Sequence, residues 1–310
     1  LKEVLRISQR VSVMRSGKIA GEVETAETDE NELARLMVGR DVVFRVEKKP
    51  VAPGDPVLKV KRVSAYSNRR LPCLRQVSFE VCRGEIVGIA GVEGNGQSEL
   101  AEVLTGLRTA SGGSVTFIDR NITHLSVRRR RELGIAHIPE DRLKTGADIH
   151  SSVADNLIVN TYHKMPLSRW TVFNPLEINA MAGRLINQFS VATAGTNIPL
   201  ESLSGGNIQK IVLARELEGD PDLLIASQPT RGVDVGAIEF IHQQLILLRE
   251  NMHGILLISA DLDEILSLSD RILVMYEGAI VGEIAGADAT EKIVGLLMAG
   301  AHNEADTMVA

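Results

Sequence analysis

The sequence predicts an α/β protein in which the central sheet is mostly parallel. Two observations support this fold class. Short apolar runs suited to buried strands recur along the chain, with helical patterns between them. A glycine-rich loop also lies directly between one such run and a helix. The runs are EIVGIAGV (85–92), LGIAHIP (133–139), DLLIAS (222–227), GILLISA (254–260) and ILVMY (272–276).

Two further kinds of element are predicted around these strands. Three segments alternate apolar and polar residues between turn residues, which indicates antiparallel strands. They are VLKVKRVSAY (57–66), LRQVSFEV (74–81) and SVTFIDRNI (114–122). Residues 151–188 show no strand pattern, so we predict an inserted helical subdomain over about residues 145–205.

The composition argues against several classes of function. The chain has 310 residues, a net charge of −6 and only 3% aromatic residues, which disfavours a nucleic-acid partner. RRRRE (128–132) is therefore predicted to form a solvated helix face. No run reaches the ~18 apolar residues of a membrane span. Cys73 and Cys82 lack the spacing of a metal or redox motif, so reduced structural thiols are expected.

The two ends of the sequence are related to each other. Residues 1–22, LKEVLRISQRVSVMRSGKIAGE, align without a gap on residues 262–283, LDEILSLSDRILVMYEGAIVGE. Duplicated domains explain this match better than chance does. We therefore predict that residues 1–45 end a first domain whose body is absent and that 46–56 form an exposed linker. Residues 57–310 would then form a second copy, and the 1–45 tail is expected to be poorly ordered or to dock opportunistically.

A phosphate-binding loop is predicted at GVEGNGQS (91–98). Its glycines allow backbone N–H groups to converge on phosphate oxygens, and the following helix adds the partial positive charge of its N-terminus. The predicted nucleotide contacts are Gly91, Gly94, Asn95, Gly96, Gln97 and Ser98. Ser98 is also predicted to be a weak Mg²⁺ ligand. The pattern calls for lysine at position 97, where this sequence has a neutral glutamine.

A second glycine turn precedes a helix at LSGGNIQK (203–210). This octamer resembles the signature motif of ATP-binding-cassette ATPases, and further motifs follow in that family's order. The resemblance places Tyr66 against the adenine, Glu140 of HIPEDR in the usual glutamine position, and Asp234 in the loop after the Walker B strand. It places Ser227 and Gln228 where the family has an aspartate–glutamate pair, and Ala260 in the position of the switch histidine.

This resemblance implies a P-loop cassette with a mostly parallel sheet, an antiparallel β-subdomain and a helical subdomain, with ATP and Mg²⁺ as cofactors. The duplication and QPTRGVDVGAIEFI (228–241) are most similar to the C-terminal cassette of tandem-cassette importers for simple sugars and nucleosides, with the nucleoside branch favoured. The implied partners are a first cassette of the same polypeptide, membrane permease subunits and, indirectly, a solute-binding protein. The implied location is the cytoplasmic face of the membrane. A monosaccharide importer and a soluble, non-transport ATPase of this family remain alternatives.

The substitutions decide which chemistry is expected at the phosphate loop. Gln97, Ser227, Gln228 and Ala260 remove charge and proton transfer from the site, so no catalytic residue is intact in cis and hydrolysis is expected to be negligible. The loop amides and Ser98 are expected to bind nucleotide weakly. The signature residues predicted to complete the active site of the other cassette are Ser204, Gly205, Gly206 and Gln209.

Overall fold

The fold is given by a computed structural model that describes residues 1–15, 17–40, 48–170 and 172–301. The strands are β1 (Arg10–Arg15), β2 (Lys18–Glu24), β3 (Pro56–Tyr66), β4 (Pro72–Cys82), β5 (Ile86–Ala90), β6 (Gly112–Phe117), β7 (Arg120–Asn121), β8 (Ile135–Ile138), β9 (Ser168–Arg169), β10 (Val172–Phe173), β11 (Leu223–Ser227), β12 (Gly254–Ile258), β13 (Arg271–Tyr276) and β14 (Ala279–Ala285). The helices are α1 (Lys2–Ile7), α2 (Glu30–Val38), α3 (Gln97–Thr105), α4 (Val127–Glu132), α5 (Val153–Ile158), α6 (Pro175–Gln188), α7 (Gly205–Leu217), α8 (Val235–Glu250), α9 (Leu262–Leu268) and α10 (Glu291–Met298).

A six-stranded sheet in the order β14-β13-β5-β12-β11-β8 forms the centre of the protein. Its strands run parallel except β14, which pairs antiparallel with β13 at one edge. Every residue of β5, β11 and β12 is buried. A parallel sheet that is covered on both faces requires such continuous apolar strands, which confirms the predicted α/β class.

Two apolar layers cover the faces of this sheet. On one face, Leu224 and Leu257 pack in a cluster with residues of α5 to α10. On the other face, Val87 and Leu256 pack with α3 and with the antiparallel sheet β4-β3-β6-β7. The protein is therefore a three-layer arrangement in which the antiparallel subdomain lies opposite the larger group of helices.

The fold brings four loops to one edge of the central sheet. The carboxyl ends of β5, β8, β11 and β12 lead into residues 91–96, 139–141, 228–234 and 259–261. Since the carboxyl ends of parallel strands point the same way, these loops meet above the sheet, which is where α/β proteins bind ligands. Within the described ranges, no helix is both long enough and apolar enough to cross a bilayer.

The sequence repeat is also a structural repeat. In β1–β2, Arg10 pairs with Glu24 and the register shifts between Val13 and Met14. In β13–β14, Arg271 pairs with Ala285 and the shift falls between Val274 and Met275, each position displaced by the same 261 residues. The flanking helices α1 and α2 occupy the positions of α9 and α10. Residues 1–15 and 17–40 therefore form helices and strands, and Arg40 contacts Glu239 of α8; residues 41–45 lie outside the described residues.

The structure corrects two expectations. Residues 151–188 contain not only α5 and the whole of α6 but also the short β9–β10 hairpin, whose strands of two residues are too brief for a periodic pattern to show. The arginine run is not a uniformly solvated face either. Arg130 is buried, because its guanidinium donates to the carbonyls of Val103 and Leu104 at the end of α3.

Candidate functional site

The phosphate loop has the geometry that its glycines require. It runs from buried β5 into α3, and Gly94 and Gly96 have φ values of 93° and 104°, in the left-handed region that favours glycine. A Cβ atom at Gly96 would also lie 2.6 Å from the carbonyl oxygen of Cys73. The loop is therefore held in one conformation at the N-terminus of a nine-residue helix, where backbone N–H groups favour an anion.

Two polar side chains of the loop stabilise its shape. The Gln97 Nε2 atom donates to the carbonyl of Val92 at 3.1 Å, so the amide closes the loop on itself. The Asn95 Oδ1 atom accepts from the backbone N–H of Glu277 at 2.9 Å, and the Asn95 carbonyl accepts from Gly278. These bonds tie the loop to the turn between β13 and β14, a contact that the spacing of the motif did not predict.

A chain of polar contacts crosses the mouth of the loop. Ser98 Oγ donates to Glu140 Oε2 at 2.7 Å, and Arg231 Nη1 donates to Glu140 Oε1 at 2.8 Å. The same Arg231 atom lies 3.7 Å from Glu93 Oε1, within the loop. Sequence reasoning missed Arg231. Its only signal was its place in the QPTRGVD segment, which must lie close to the phosphate loop once β11 and β5 share a sheet.

The four substituted positions line one cleft. The cleft has a volume of about 550 Å³ and includes Gln97, Ser227, Gln228 and Ala260 together with the phosphate loop and Glu140. Gln228 Oε1 accepts from the backbone N–H of Ala260 at 3.2 Å, so this amide spans the distance between two loops. The structure thus brings together the residues that the sequence grouped, and it places neutral side chains at all four of these positions.

The oxygen donors in the cleft fit a weakly held Mg²⁺ ion. The Ser98 hydroxyl and the Glu140 carboxylate lie side by side, and Ser227 Oγ is buried with no hydrogen-bond partner among the described residues. Hard oxygen donors of this kind suit Mg²⁺, which usually keeps several of its waters. In the part of the chain that the structure describes, no group of three His, Cys, Asp or Glu residues could hold a metal ion. An Mg²⁺ ion in this cleft would therefore keep several water ligands.

The signature residues lie outside this cleft. Ser204 is exposed and caps α7, and its Oγ accepts from the Asn207 side chain at 2.9 Å. Gly205 and Gly206 follow in close contact with their neighbours: a Cβ atom at Gly205 would lie 2.8 Å from Arg142 Nη2, and one at Gly206 would lie 2.6 Å from Asp234 Oδ2. The start of α7 is thus a helix N-terminus at which Ser204 is exposed and both glycines lie directly against neighbouring side chains.

Two other predicted positions stabilise the region around the signature turn. Gln209 is buried, and its Nε2 atom donates to the carbonyl of Pro229 at 2.7 Å. Asp234 caps α8 by accepting from the backbone N–H of Ala237 at 3.0 Å. Arg142 adds hydrogen bonds to the carbonyls of Arg231 and Gly232. Hydrogen bonds therefore link the 228–234 loop to the signature helix α7 and to the 139–146 segment.

Tyr66 is placed less favourably than the other predicted contacts. It ends β3, is exposed, and is not among the described residues that line the cleft. Its carbonyl accepts from Arg108 Nη1 at 2.6 Å, so its backbone is fixed while the ring faces solvent. Stacking of this ring on an adenine stays a prediction.

A glycine loop between a buried strand and a helix, an antiparallel subdomain and a helical subdomain together define an ATP-binding cassette. Residues 74–231 match the sequence profile described as ABC transporter, and the chain belongs to that family. The solved structure of a nucleotide-free ATP-binding cassette from an ABC transporter has the same fold. Its TM-score is 0.66 at 24% identity, covering 78% of this chain and 95% of that one.

Three curated relatives extend the similarity along nearly the whole chain. The guanosine import ATP-binding protein NupO of Bacillus subtilis (strain 168) is 44% identical over 95% of this chain. The nucleoside import ATP-binding protein NupA of Lactococcus lactis subsp. cremoris (strain MG1363) is 42% identical over 97%. The glucose import ATP-binding protein TsgD13 of Haloferax volcanii is 45% identical over 97%. The chain spans only 55 to 60% of the length of these relatives.

Proposed function

We propose that this chain is the nucleotide-binding but hydrolysis-deficient cassette of an importer motor for nucleosides or simple sugars. The observation that carries the proposal is the cleft at the phosphate loop. It retains the backbone amides, the helix N-terminus and the Ser98 hydroxyl, yet Gln97, Ser227, Gln228 and Ala260 are all neutral.

The loss of hydrolysis follows from what these four side chains lack. Removing a general base typically lowers a rate by about 10²–10⁴. Removing one preorganised electrostatic donor lowers it by about 10²–10³. These effects are not additive, but either one is large enough to make turnover at this cleft negligible. Nucleotide binding depends on groups that remain in place, so the cleft still holds ATP or ADP with Mg²⁺.

The exposed signature turn supports a second role, in a different active site. Ser204 is exposed at the N-terminus of α7, and Ser204, Gly205 and Gly206 are not among the described residues that line the chain's own cleft. We propose that Ser204, Gly205 and Gly206 close the nucleotide site of the first cassette. In this account the intact residues of the chain act in trans on the phosphates, while its own cleft acts structurally.

The unpartnered apolar residues of the N-terminal repeat support the presence of such a cassette. Met14 is 68% exposed, whereas Met275, its equivalent in the second repeat, is fully buried. Ile7 is exposed in the same way, while its equivalent Leu268 is buried under the central sheet. Exposed apolar residues that repeat a core pattern mark a missing packing partner. We propose that residues 1–45 complete the core of a first cassette and that 46–56 link it to residues 57–310.

The transported solute and the membrane partners belong to the same proposal. Two of the three relatives named above are nucleoside or guanosine import proteins, which favours the nucleoside branch, and the glucose import protein keeps a monosaccharide as the alternative. Import requires permease subunits, with a solute-binding protein outside the membrane, so the proposed location is peripheral, at the cytoplasmic face. Co-purification with a permease would separate this role from that of a soluble ATPase of the same family.

The proposal is tested on the 310-residue chain by two measurements on the same samples. MgATP and MgADP should raise the Tm, because a ligand at about 100 times its Kd stabilises the folded state by about 2.7 kcal/mol. Phosphate release should stay at the background of a sample without protein. Turnover at the rate of an active cassette would contradict the proposal, and an unchanged Tm would show that the cleft does not bind nucleotide.

The variant Gln97→Lys sharpens this test. A lysine restores the missing cation at the phosphates, so the Tm shift with MgATP should increase while phosphate release remains at background, because Ser227 and Gln228 still supply no carboxylate. The matched control is Arg129→Lys, an exposed position on α4 that does not line the cleft. Robust hydrolysis by Gln97→Lys alone would show that the residues at 227 and 228 are sufficient for catalysis.

A further inference from the structure

The helical subdomain exposes a group of large apolar side chains that the nucleotide site does not use. They surround the β9–β10 hairpin and are called here the hairpin patch: Met165, Trp170, Val172, Phe173 and Leu176. Trp170 is 92% exposed and Leu176 83% exposed. Exposed large apolar residues clustered in one short segment mark a contact surface rather than ordinary surface composition.

The base of the hairpin is firmly packed, which holds the patch outward. Leu167 and Ser168 are buried, and the backbone N–H of Asn174 donates to the Leu167 carbonyl at 2.8 Å. Phe173 contacts Tyr162 edge to face, with ring centroids 6.3 Å apart. The exposed side chains therefore project from a fixed support.

The residue at the turn is not one that the turn itself requires. Trp170 has a φ of 63°, in the left-handed region that glycine or asparagine adopts at lower cost. A large indole at this position does not fill a core, and it does not lower the cost of the left-handed backbone conformation. Its side chain is therefore best explained by what it contacts outside the chain.

The charge around the patch identifies the kind of surface that fits it. The sequence contains no acidic residue between Asp155 and Glu177, a stretch that includes Lys164, Arg169 and His163. Lys164 and Arg169 are exposed and form no ion pair with any described residue. Aromatic side chains flanked by unpaired basic ones match the headgroup region of a membrane, where tryptophan is enriched and anionic lipids attract Lys and Arg.

We propose that the hairpin patch rests in the headgroup region of an anionic lipid bilayer, as a contact with lipid and independent of any protein in the membrane. Trp170, Phe173 and Leu176 enter the boundary between headgroups and acyl chains, while Lys164 and Arg169 stay at the level of the lipid phosphates. The contact is peripheral and shallow. It adds an orienting attachment to whatever protein partner the cassette has, and it does not depend on the nucleotide site.

The protein carries its own probe for this contact, because Trp170 is its single tryptophan. The 310-residue chain is titrated with protein-free vesicles made of phosphatidylcholine alone or of equal parts phosphatidylcholine and phosphatidylglycerol. The expected result is a blue shift of tryptophan emission and co-sedimentation with the anionic vesicles only, weakened by added salt. Co-sedimentation without an emission shift would overturn the proposal, because the contact would then lie elsewhere, for example at Ile7 and Met14.

Charge-reversal variants complete the test and keep the probe in place. Lys164→Glu combined with Arg169→Glu should weaken binding at least about 25-fold, since each basic residue near an anionic surface contributes roughly five-fold. The control is Arg69→Glu combined with Arg120→Glu, which changes the net charge equally at exposed positions outside the patch. Equal loss in both double variants, or no binding by the unmodified chain, would refute the hairpin as a lipid contact and leave a protein partner as its occupant.

Discussion

Arg130 of α4 is buried against the C-terminal end of α3. The Arg130 guanidinium donates to four backbone carbonyls and has no carboxylate partner among the hydrogen bonds and ion pairs of the described residues. The acceptors are Val103 at 2.6 Å, Leu104 at 2.7 Å, Thr123 at 2.9 Å and Leu125 at 3.0 Å. Two of these carbonyls end α3, the helix that begins at the phosphate loop, so Arg130 caps the helix that presents the anion site.

The expected cost of removing this side chain is large. Hydrogen bonds to a charged group contribute about 1.5–3 kcal/mol each, although four bonds to one guanidinium are not additive. Against them stands the cost of burial, which lowers the pKa of Arg130 to about 10, equivalent to about 3 kcal/mol. The hydrogen-bond energy exceeds this cost of burying the charge, and the substitution also leaves a cavity. Arg130→Ala is therefore predicted to lower the free energy of unfolding by about 3–5 kcal/mol.

The neighbouring residue on the same helix provides the control. Arg129 is exposed and, among the described residues, pairs only with Glu132 at the surface, so Arg129→Ala should change the free energy of unfolding by less than about 0.5 kcal/mol. Urea unfolding followed by circular dichroism gives the free energy of unfolding of both variants. The two values can be compared directly if the free energy depends on urea concentration with the same slope in both. Similar stability of the two variants would refute the assignment of Arg130 as the cap of α3.

Two further predictions concern acid stability and the N-terminal repeat. Burial lowers the pKa of His137 from 6.5 to about 4, so the folded state excludes a proton that the unfolded state binds. This contribution to the free energy of unfolding is complete above pH 6.5 and is lost as the pH falls towards 4, by up to about 3 kcal/mol. His137→Gln should abolish that loss, which is measured by urea unfolding at pH 7 and at pH 4.5. An unchanged pH dependence in the variant would contradict the assignment to His137. Arg40 donates to both oxygens of buried Glu239 on α8, at 2.7 and 3.2 Å, across the repeat boundary. Because Arg40 is itself exposed, Arg40→Ala should lower the stability of the N-terminal repeat by only about 1 kcal/mol. Amide hydrogen exchange should become faster in α2 but not in α8. Unchanged exchange in α2 would show that the ion pair does not hold the repeat in place.

The elements that the sequence predicted well are those whose signal is local. β5, β11 and β12 are runs of consecutive apolar residues, and a parallel sheet covered on both faces demands that pattern. The phosphate loop was equally visible, because left-handed positions such as Gly94 and Gly96 select glycine in the sequence itself. The repeat was found in the same way, and the structure adds that even the register shift of its hairpin is duplicated.

The features that the sequence did not predict depend on contacts between distant segments. Arg130 is one of four consecutive arginines, and only the position of α3 makes it a buried cap. The contact from Ser98 through Glu140 to Arg231 joins three loops separated by up to 133 residues, which no periodic pattern encodes. Sequence reasoning grouped Ser98 and Glu140 by resemblance to a family, whereas the hydrogen bonds between them required coordinates.

In the proposed motor, this chain contributes to catalysis through its signature turn and not through its own phosphate loop. The most direct measurement is the ATPase rate of a longer protein that contains both this chain and a preceding cassette. We compare Ser204→Arg, which blocks the exposed start of α7, with Ser98→Ala, which removes the hydroxyl of the cleft. Ser204→Arg should abolish most turnover, while Ser98→Ala should retain most of it. Full activity of Ser204→Arg, or a greater loss from Ser98→Ala, would show that the signature turn is not the catalytic contribution of this chain.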